Sequence, residues 1–357
     1  MKKVGIMSMQ RVENYGSFLQ AYGLKKMIES LGFSVTFVDY QKGKSLVGKK
    51  KQFLEKIKRN ANILEFVKRR KIKNALGNMY RERFLPRLDV SDSLNINPKN
   101  IDTLVIGSDE VFNPIQPDPS CYSKELFGYN YEDVATISYA ACFGYCTLDD
   151  LKKYKIADEI GEMLKKFKSI SVRDDNSFDI VKTLTGSSPA INLDPVLMYD
   201  FADEKRESSL GIKDYIVLYA YPGRFTRAEE REIKRLARKY KKTIVSVGFY
   251  QKIADVCVVP DAFEIFNLFK KADFVITDTF HGTIFSIKEN VNFCSMIRGT
   301  HVNKLGDLLE RVRLSDRKIK DASSLEKMFL NAPDFGVTNG IIENEKAKAM
   351  NYLRGNI

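Results

Sequence analysis

Short apolar runs alternate with longer stretches at helical spacing along most of this chain. A strand is predicted at Lys3–Met7, followed by a polar loop over 8–16. Residues 17–30 then carry Leu19, Tyr22, Leu24, Met27 and Ile28 on one apolar side, with Ser17 positioned to cap the helix and Gly32 to stop it. Another strand is expected over 33–39. Strand, helix and strand in that order imply a parallel sheet. The rhythm resumes with strands over 101–107, 135–139, 169–172 and 191–193. A helix is expected over 148–168, and Asp174 or Asp175 is placed to cap the next one. Four of these strands end in polar or small residues: Ser108-Asp109-Glu110, Ala140-Ala141-Cys142, Arg173, and Asp194-Pro195. In a parallel sheet, the carboxyl ends of the strands face the ligand crevice.

Residues 200–213 are polar and aperiodic, so a linker is expected at 201–213. It separates an α/β unit at 1–200 from a second at 214–339. The second has predicted strands at Tyr215–Tyr219, Thr243–Val247, Phe274–Thr277 and 292–296, and helices over 226–240, 261–271 and 303–311. A last helix within 340–357 is long enough to fold back across the linker.

The segment 41–83 interrupts this pattern. The whole chain has 58 basic and 46 acidic residues, a net charge of +12. Residues 42–83 hold fifteen Lys and Arg against Glu55, Glu65 and Glu82, so this one segment carries the entire excess. Phe53, Leu54, Ile57, Ile63, Leu64, Phe66 and Val67 recur there at roughly helical spacing. A pair of amphipathic basic helices is therefore expected, suited to an anionic membrane surface; the plainer alternative is a solvated cover for the domain. Nucleic acid is not expected as a partner, because the rest of the chain is neutral and the basic segment is poor in aromatics. No apolar run approaches the ~18–20 residues of a membrane span. The start of the chain reads as a strand rather than a secretory signal. Five scattered cysteines, without partners at metal-ligand spacing, suit a reduced cytoplasmic protein without a zinc site.

The densest chemistry lies in 272–290. A buried strand runs into Asp278-Thr279-Phe280-His281-Gly282-Thr283, and a helical pattern follows directly. A helix start at a strand end offers unpaired N–H groups to a phosphate or carboxylate. A histidine there can exchange a proton near neutral pH. Arg173 and Arg298 end strands in the two units, with Lys304 close behind, and arginine suits planar anions. Phe280, Phe285 and Phe293 read as core.

Six blocks together resemble the polysaccharide pyruvyl transferases: residues 14–22 (NYGSFLQAY), 107–113 (GSDEVFN), 138–144 (SYAACFG), 170–174 (ISVRD), 193–197 (LDPVL) and 277–283 (TDTFHGT). The likeness spans roughly residues 3–314. Glu110, Phe112 and Asp174 depart from the residues usual in that family, and Glu110 is expected to bear on acceptor preference. The resemblance implies two Rossmann-like domains facing across a cleft, similar to the GT-B glycosyltransferases, with the acceptor on the first domain and the donor on the second. It also implies transfer of a pyruvyl group from phosphoenolpyruvate to a sugar as a cyclic ketal. The acceptor is expected to be a surface polysaccharide or its lipid-linked precursor, at the inner face of the membrane. The expected catalytic residues are His281, Asp109 and Asp194. Donor binding is expected from Arg173, Thr279, Gly282, Thr283, Arg298 and Lys304. Acceptor binding is expected from Asn14, Tyr15, Gly16, Ser108, Glu110 and Asn113. Phosphoenolpyruvate is then a co-substrate, and neither cofactor nor metal is implied. Two rival readings share the residue evidence: a sugar-nucleotide glycosyltransferase of the same fold, and a basic membrane- or nucleic-acid-binding protein without catalysis.

Overall fold

A repeated βαβ rhythm builds two sheets, with buried strands at their centres and partly exposed strands at their edges. The computed structural model describes residues 1–47, 63–91, 93–96, 100–116, 121–208, 210–297 and 302–357. The first sheet contains β1 (Lys3–Met7), β2 (Ser34–Phe37), β3 (Thr103–Asp109), β4 (Ala135–Ala141), β5 (Ser171–Val172) and β6 (Ala190–Ile191). Its order is β2-β1-β3-β4-β5-β6. The second contains β7 (Tyr215–Tyr219), β8 (Thr243–Val247), β9 (Val256–Val258), β10 (Phe274–Thr277), β11 (Phe293–Met296) and β12 (Lys318–Ile319), in the order β12-β11-β10-β7-β8-β9. Every strand pair is parallel. The expected pair of Rossmann-like domains is therefore present.

In each sheet the chain winds outward in one direction and then reverses. The reversals fall between β1 and β3 and between β7 and β10. Helices leave in opposite directions there, opening a crevice at the carboxyl ends of the strands. The four strands at the reversals are buried along almost their whole length, so they present rigid ends to that crevice.

Local structure departs from expectation at a few points. The Tyr15–Glu29 helix is capped by Asn14, whose side chain accepts the Ser17 N–H, so the helix begins three residues earlier than a Ser17 cap would allow. The 148–168 stretch is two helices, Leu148–Lys153 and Ala157–Leu164. Lys155 adopts a left-handed backbone with φ of 57°, and the Ile156 N–H returns to the Leu151 carbonyl. This is a Schellman termination made without glycine, which hides it from a residue-type search. Strands β9 and β12 were not expected: both are short and lie at sheet edges.

Of the basic segment, the part containing Phe53, Leu54 and Ile57 lies outside the described residues. The remainder forms an Ile63–Met79 helix that runs on through a wide turn at Tyr80–Phe84. It is anchored at its far end, where Leu76, Tyr80 and Phe84 are buried and the Tyr80 hydroxyl donates to the Gln10 carbonyl at 2.7 Å.

One apolar core passes from the first domain to the second. Phe18, Tyr22, Phe84, Phe201, Phe263 and Phe266 belong to a single buried cluster, with Phe18 and Phe263 rings 5.9 Å apart across the domains. Phe201 is fully buried in it, so the inter-domain segment is packed rather than slack. The Gly336–Asn356 helix lies back against the first domain, where the Tyr352 hydroxyl donates to the Ser138 carbonyl at 2.9 Å. Among the described residues, no helix is long and apolar enough to cross a membrane.

Candidate active site

The Phe280–Lys288 helix starts directly after β10 because Thr279 caps it, accepting the Gly282 N–H at 3.0 Å. Gly282 is required by packing: a Cβ there would lie 2.2 Å from the Thr277 hydroxyl. The first turn thus projects Phe280 and His281 towards the first domain.

The ends of β3, β5 and β6 of the first domain meet them. Arg173, after β5, is 5% exposed and bridges two carboxylates. Its Nη1 lies 3.0 Å from Asp194 Oδ2, and its Nη2 lies 3.0 Å from Asp109 Oδ1. Its guanidinium carbon stands 4.4 Å from the centroid of the Phe280 ring. Asp194 Oδ2 in turn lies 3.5 Å from His281 Nε2. Asp109 also accepts from the Ser17 hydroxyl at 3.2 Å, and Asn14 donates to that hydroxyl at 2.9 Å. The Lys304 ammonium pairs with Glu110 and lies 5.6 Å from the Phe280 ring. Phe280 therefore carries two cations from different elements on its ring, a use of an aromatic face that adds to its apolar burial.

Two close backbone approaches complete the geometry. Gly16 lies against the imidazole, so that a Cβ would be 2.1 Å from His281 Nδ1. Gly144 has φ of 61° and faces Glu110, where a Cβ would be 2.5 Å from Oε2.

The electrostatics follow from this pairing. Burial pushes the Asp109 carboxyl upward, but Arg173, then His281 and Lys304, outweigh it and hold it below the ordinary carboxylate value. Asp194 is likewise raised by burial and lowered overall by the imidazole of His281, the Arg173 charge and the Val196 N–H. Glu110 is lowered because Lys304 outweighs its burial, and Lys304 is raised because Glu110 outweighs its own. Three carboxylates thus face two permanent cations and one imidazole. Among the described residues, Arg173 Nε is buried without a hydrogen-bond partner, and His281 Nε2 has only the long 3.5 Å approach to Asp194; both belong to this one cluster. Unsatisfied buried donors and acceptors are costly, so a site built this way is set up to receive a polar ligand.

The cluster unites Asp109, Glu110, Arg173, Asp194, His281 and Lys304, with Asn14 and Gly16 behind them. Other expected residues sit differently. Arg298 lies outside the described residues. The Thr283 hydroxyl is turned inward to Ser295 at 2.7 Å, and Thr279 is engaged in capping. The buried Tyr15 hydroxyl donates to the Pro260 carbonyl at 2.7 Å, joining the two domains. Ser108 is fully buried and donates to the Ala140 carbonyl, while Asn113 supports Glu110 with a 3.0 Å hydrogen bond. Phe280, expected as core, is core on one side and a cation platform on the other.

One wall of the crevice escaped the sequence reading. Beyond β7, Tyr221 is 38% exposed, packs on Phe249 with centroids 5.0 Å apart, and carries Arg224 4.9 Å from its ring. Arg224 in turn lies 3.4 Å from the buried Asp278 carboxylate, just before the His281 helix. The signal available was a Tyr-Pro-Gly turn directly after a strand end.

Two facing Rossmann-like domains with a charged cluster at their strand ends define the GT-B class of architecture. The S. aureus MnaA structure with UDP has this fold, with a TM-score of 0.51, 10% identity, and coverage of 98% of this chain and 97% of that one. The UDP-GlcNAc 2-epimerase of Methanocaldococcus jannaschii, in complex with UDP-GlcNAc and UDP, gives a TM-score of 0.51 at 12% identity over 96% and 99%. Arabidopsis thaliana UGT89C1 complexed with quercetin gives 0.50 at 9% identity over 99% and 98%. No curated protein sequence matches the chain. Residues 14–299 match the polysaccharide pyruvyl transferase model, and the chain belongs to that family.

Proposed function

We propose that the protein transfers a pyruvyl group from phosphoenolpyruvate to two hydroxyls of a sugar, forming a cyclic ketal and releasing phosphate. The acceptor is a sugar of a surface polysaccharide or of its lipid-linked precursor, met at the inner face of the membrane. The observation that carries this reading is the meeting of His281 with the Arg173–Asp109–Asp194 bridge, inside the residues that match the family.

The chemistry asks for a proton at the enol methylene carbon. His281, as imidazolium, supplies it, and the central carbon becomes electrophilic. One sugar hydroxyl adds there and gives its proton to a carboxylate of the cluster, for which Asp109 and Asp194 are the candidates. Phosphate leaves, and the second hydroxyl closes the ring while its proton passes to the departing phosphate or the cluster. No oxidant or reductant is required. Arg173 has both Nη atoms committed to carboxylates, so its contribution to the donor is its Nε edge and its positive field rather than a two-pronged clamp. Lys304 and the N-terminal turn of the Phe280–Lys288 helix supply further positive potential for the phosphate and carboxylate.

The test is phosphate release from phosphoenolpyruvate with a panel of aryl and lipid-linked glycosides, with NMR of the products. Ketal signals that disappear in His281→Ala are expected. Silence with every acceptor, together with turnover of a nucleotide sugar, would replace this reading with glycosyl transfer.

A further inference from the structure

The Ile63–Met79 helix has two unlike sides. Glu65, Arg69, Ile72 and Leu76 follow one another at helical spacing and are each partly or fully covered. This side reaches the second domain: Glu65 pairs with Lys252 at 3.2 Å, and Arg69 lies against Gly223, next to the Tyr221–Arg224 wall. The helix therefore crosses from one domain to the other beside the mouth of the crevice. It is held at its end by buried Leu76 and Tyr80.

The other side combines two properties that solvent alone does not explain. Leu64 is 72%, Val67 57% and Phe66 44% exposed. Lys68, Arg70, Lys71 and Lys73 are exposed among them. Large apolar side chains interleaved with cations at the surface match an interface that is negative outside and apolar beneath. The charge is local: residues 42–83 carry the whole net charge of the chain, and the remainder balances. An attraction of this kind orients the molecule rather than merely concentrating it.

The geometry points to the exposed side of the Ile63–Met79 helix as a docking surface for an anionic lipid bilayer, with Val67 at its centre and Leu64 and Phe66 on its two flanks entering the headgroup region, and Lys68, Arg70 and Lys71 facing the lipid phosphates. This docking stands whether or not the transferred group is pyruvyl. It brings the mouth of the crevice to the bilayer surface, where a lipid-linked acceptor presents its sugar.

The chain contains no tryptophan, so Phe66→Trp installs a single reporter in the full-length protein. Its emission shifts to the blue with phosphatidylcholine vesicles containing phosphatidylglycerol, does not shift with phosphatidylcholine alone, and returns at high salt. Sedimentation with the same anionic vesicles falls on the order of 100-fold in the triple variant Lys68→Gln, Arg70→Gln, Lys71→Gln, from roughly 1 kcal/mol per basic residue at such a surface. Circular dichroism of the triple variant stays that of the parent, because the three side chains are exposed. A reporter that does not respond to anionic vesicles overturns the assignment, as does a triple variant that partitions like the parent. Equal binding to neutral vesicles, or capture by RNA alone, overturns it too.

Discussion

Gly16 and His281 come from different domains, and the space between them is smaller than a methyl group: a Cβ at residue 16 would stand 2.1 Å from the imidazole Nδ1. Gly16 lies in the first turn of a helix, where alanine is ordinarily the better residue by about 1 kcal/mol. Gly16→Ala is therefore expected to keep the fold while driving the imidazole from its position. Turnover should fall on the order of 100-fold, the scale of a 1 Å misplacement at a reacting centre. An unchanged kcat beside an unchanged melting midpoint would show that the contact has no bearing on catalysis.

Arg173 bridges Asp109 and Asp194, and its single charge offsets half of theirs. A lysine has one point charge and cannot span both oxygens with the same fork. Arg173→Lys should leave one buried carboxylate poorly paired and cost about 3 kcal/mol or more of unfolding free energy, read from urea titration. Equal midpoints for the two proteins would refute the bridge as a stabilising element.

The same bridge predicts a response to acid. Asp109 and Asp194 have folded-state values held below their ordinary ones, so the folded protein binds their protons less readily than the unfolded chain. Their contribution is complete above the ordinary carboxylate value of about 3.9 and is lost as pH falls through the lower folded-state values. Double replacement Asp109→Asn with Asp194→Asn should flatten urea midpoints measured below about pH 4.

Lys288 works in the opposite direction. Burial, then the charges of Lys205 and Lys346, push its ammonium down to about 7, while its nitrogen donates to the Tyr199 carbonyl at 2.6 Å. Between that value and the ordinary value of about 10.4, the unfolded chain keeps a proton that the folded protein has released. Stability should accordingly rise as pH increases from 7 towards 9.5, and Lys288→Met should remove that slope whatever it does to the absolute stability. Parallel pH profiles for parent and variant would contradict the assignment.

Tyr221 offers an exposed ring at the crevice wall. Although it lies on the domain expected to hold the donor, its face suits the sugar, so Tyr221→Ala should raise the acceptor KM about fivefold to tenfold through lost stacking, with kcat nearly unchanged. A loss confined to kcat would assign the ring to the reacting centre instead.

The architecture was largely readable because buried parallel strands are short apolar runs whose ends announce themselves with charge. Lys3–Met7, Tyr215–Tyr219, Thr243–Val247 and Phe274–Thr277 run between the very residues that the pattern marked. What escaped was decided by tertiary context. Asn14 outcompetes Ser17 as a cap because Ser17 is drawn to Asp109 across 92 residues. Lys155 ends a helix as glycine commonly does, and edge strands β9 and β12 are too short to show a period. For the site, the charged residues were legible as types at strand ends. That Arg173 is shared by two acids and rests on Phe280 is a fact about four elements converging, and no single stretch encodes it.

The uninterrupted apolar interior that joins Phe18 and Tyr22 to Phe263 and Phe266 makes the two lobes one cooperative body. Cutting the chain between them would bare that seam on both fragments and yield two aggregation-prone halves rather than two working modules. Wide hinge opening would break the same seam, so entry and exit of substrates fall to the loops around the rim.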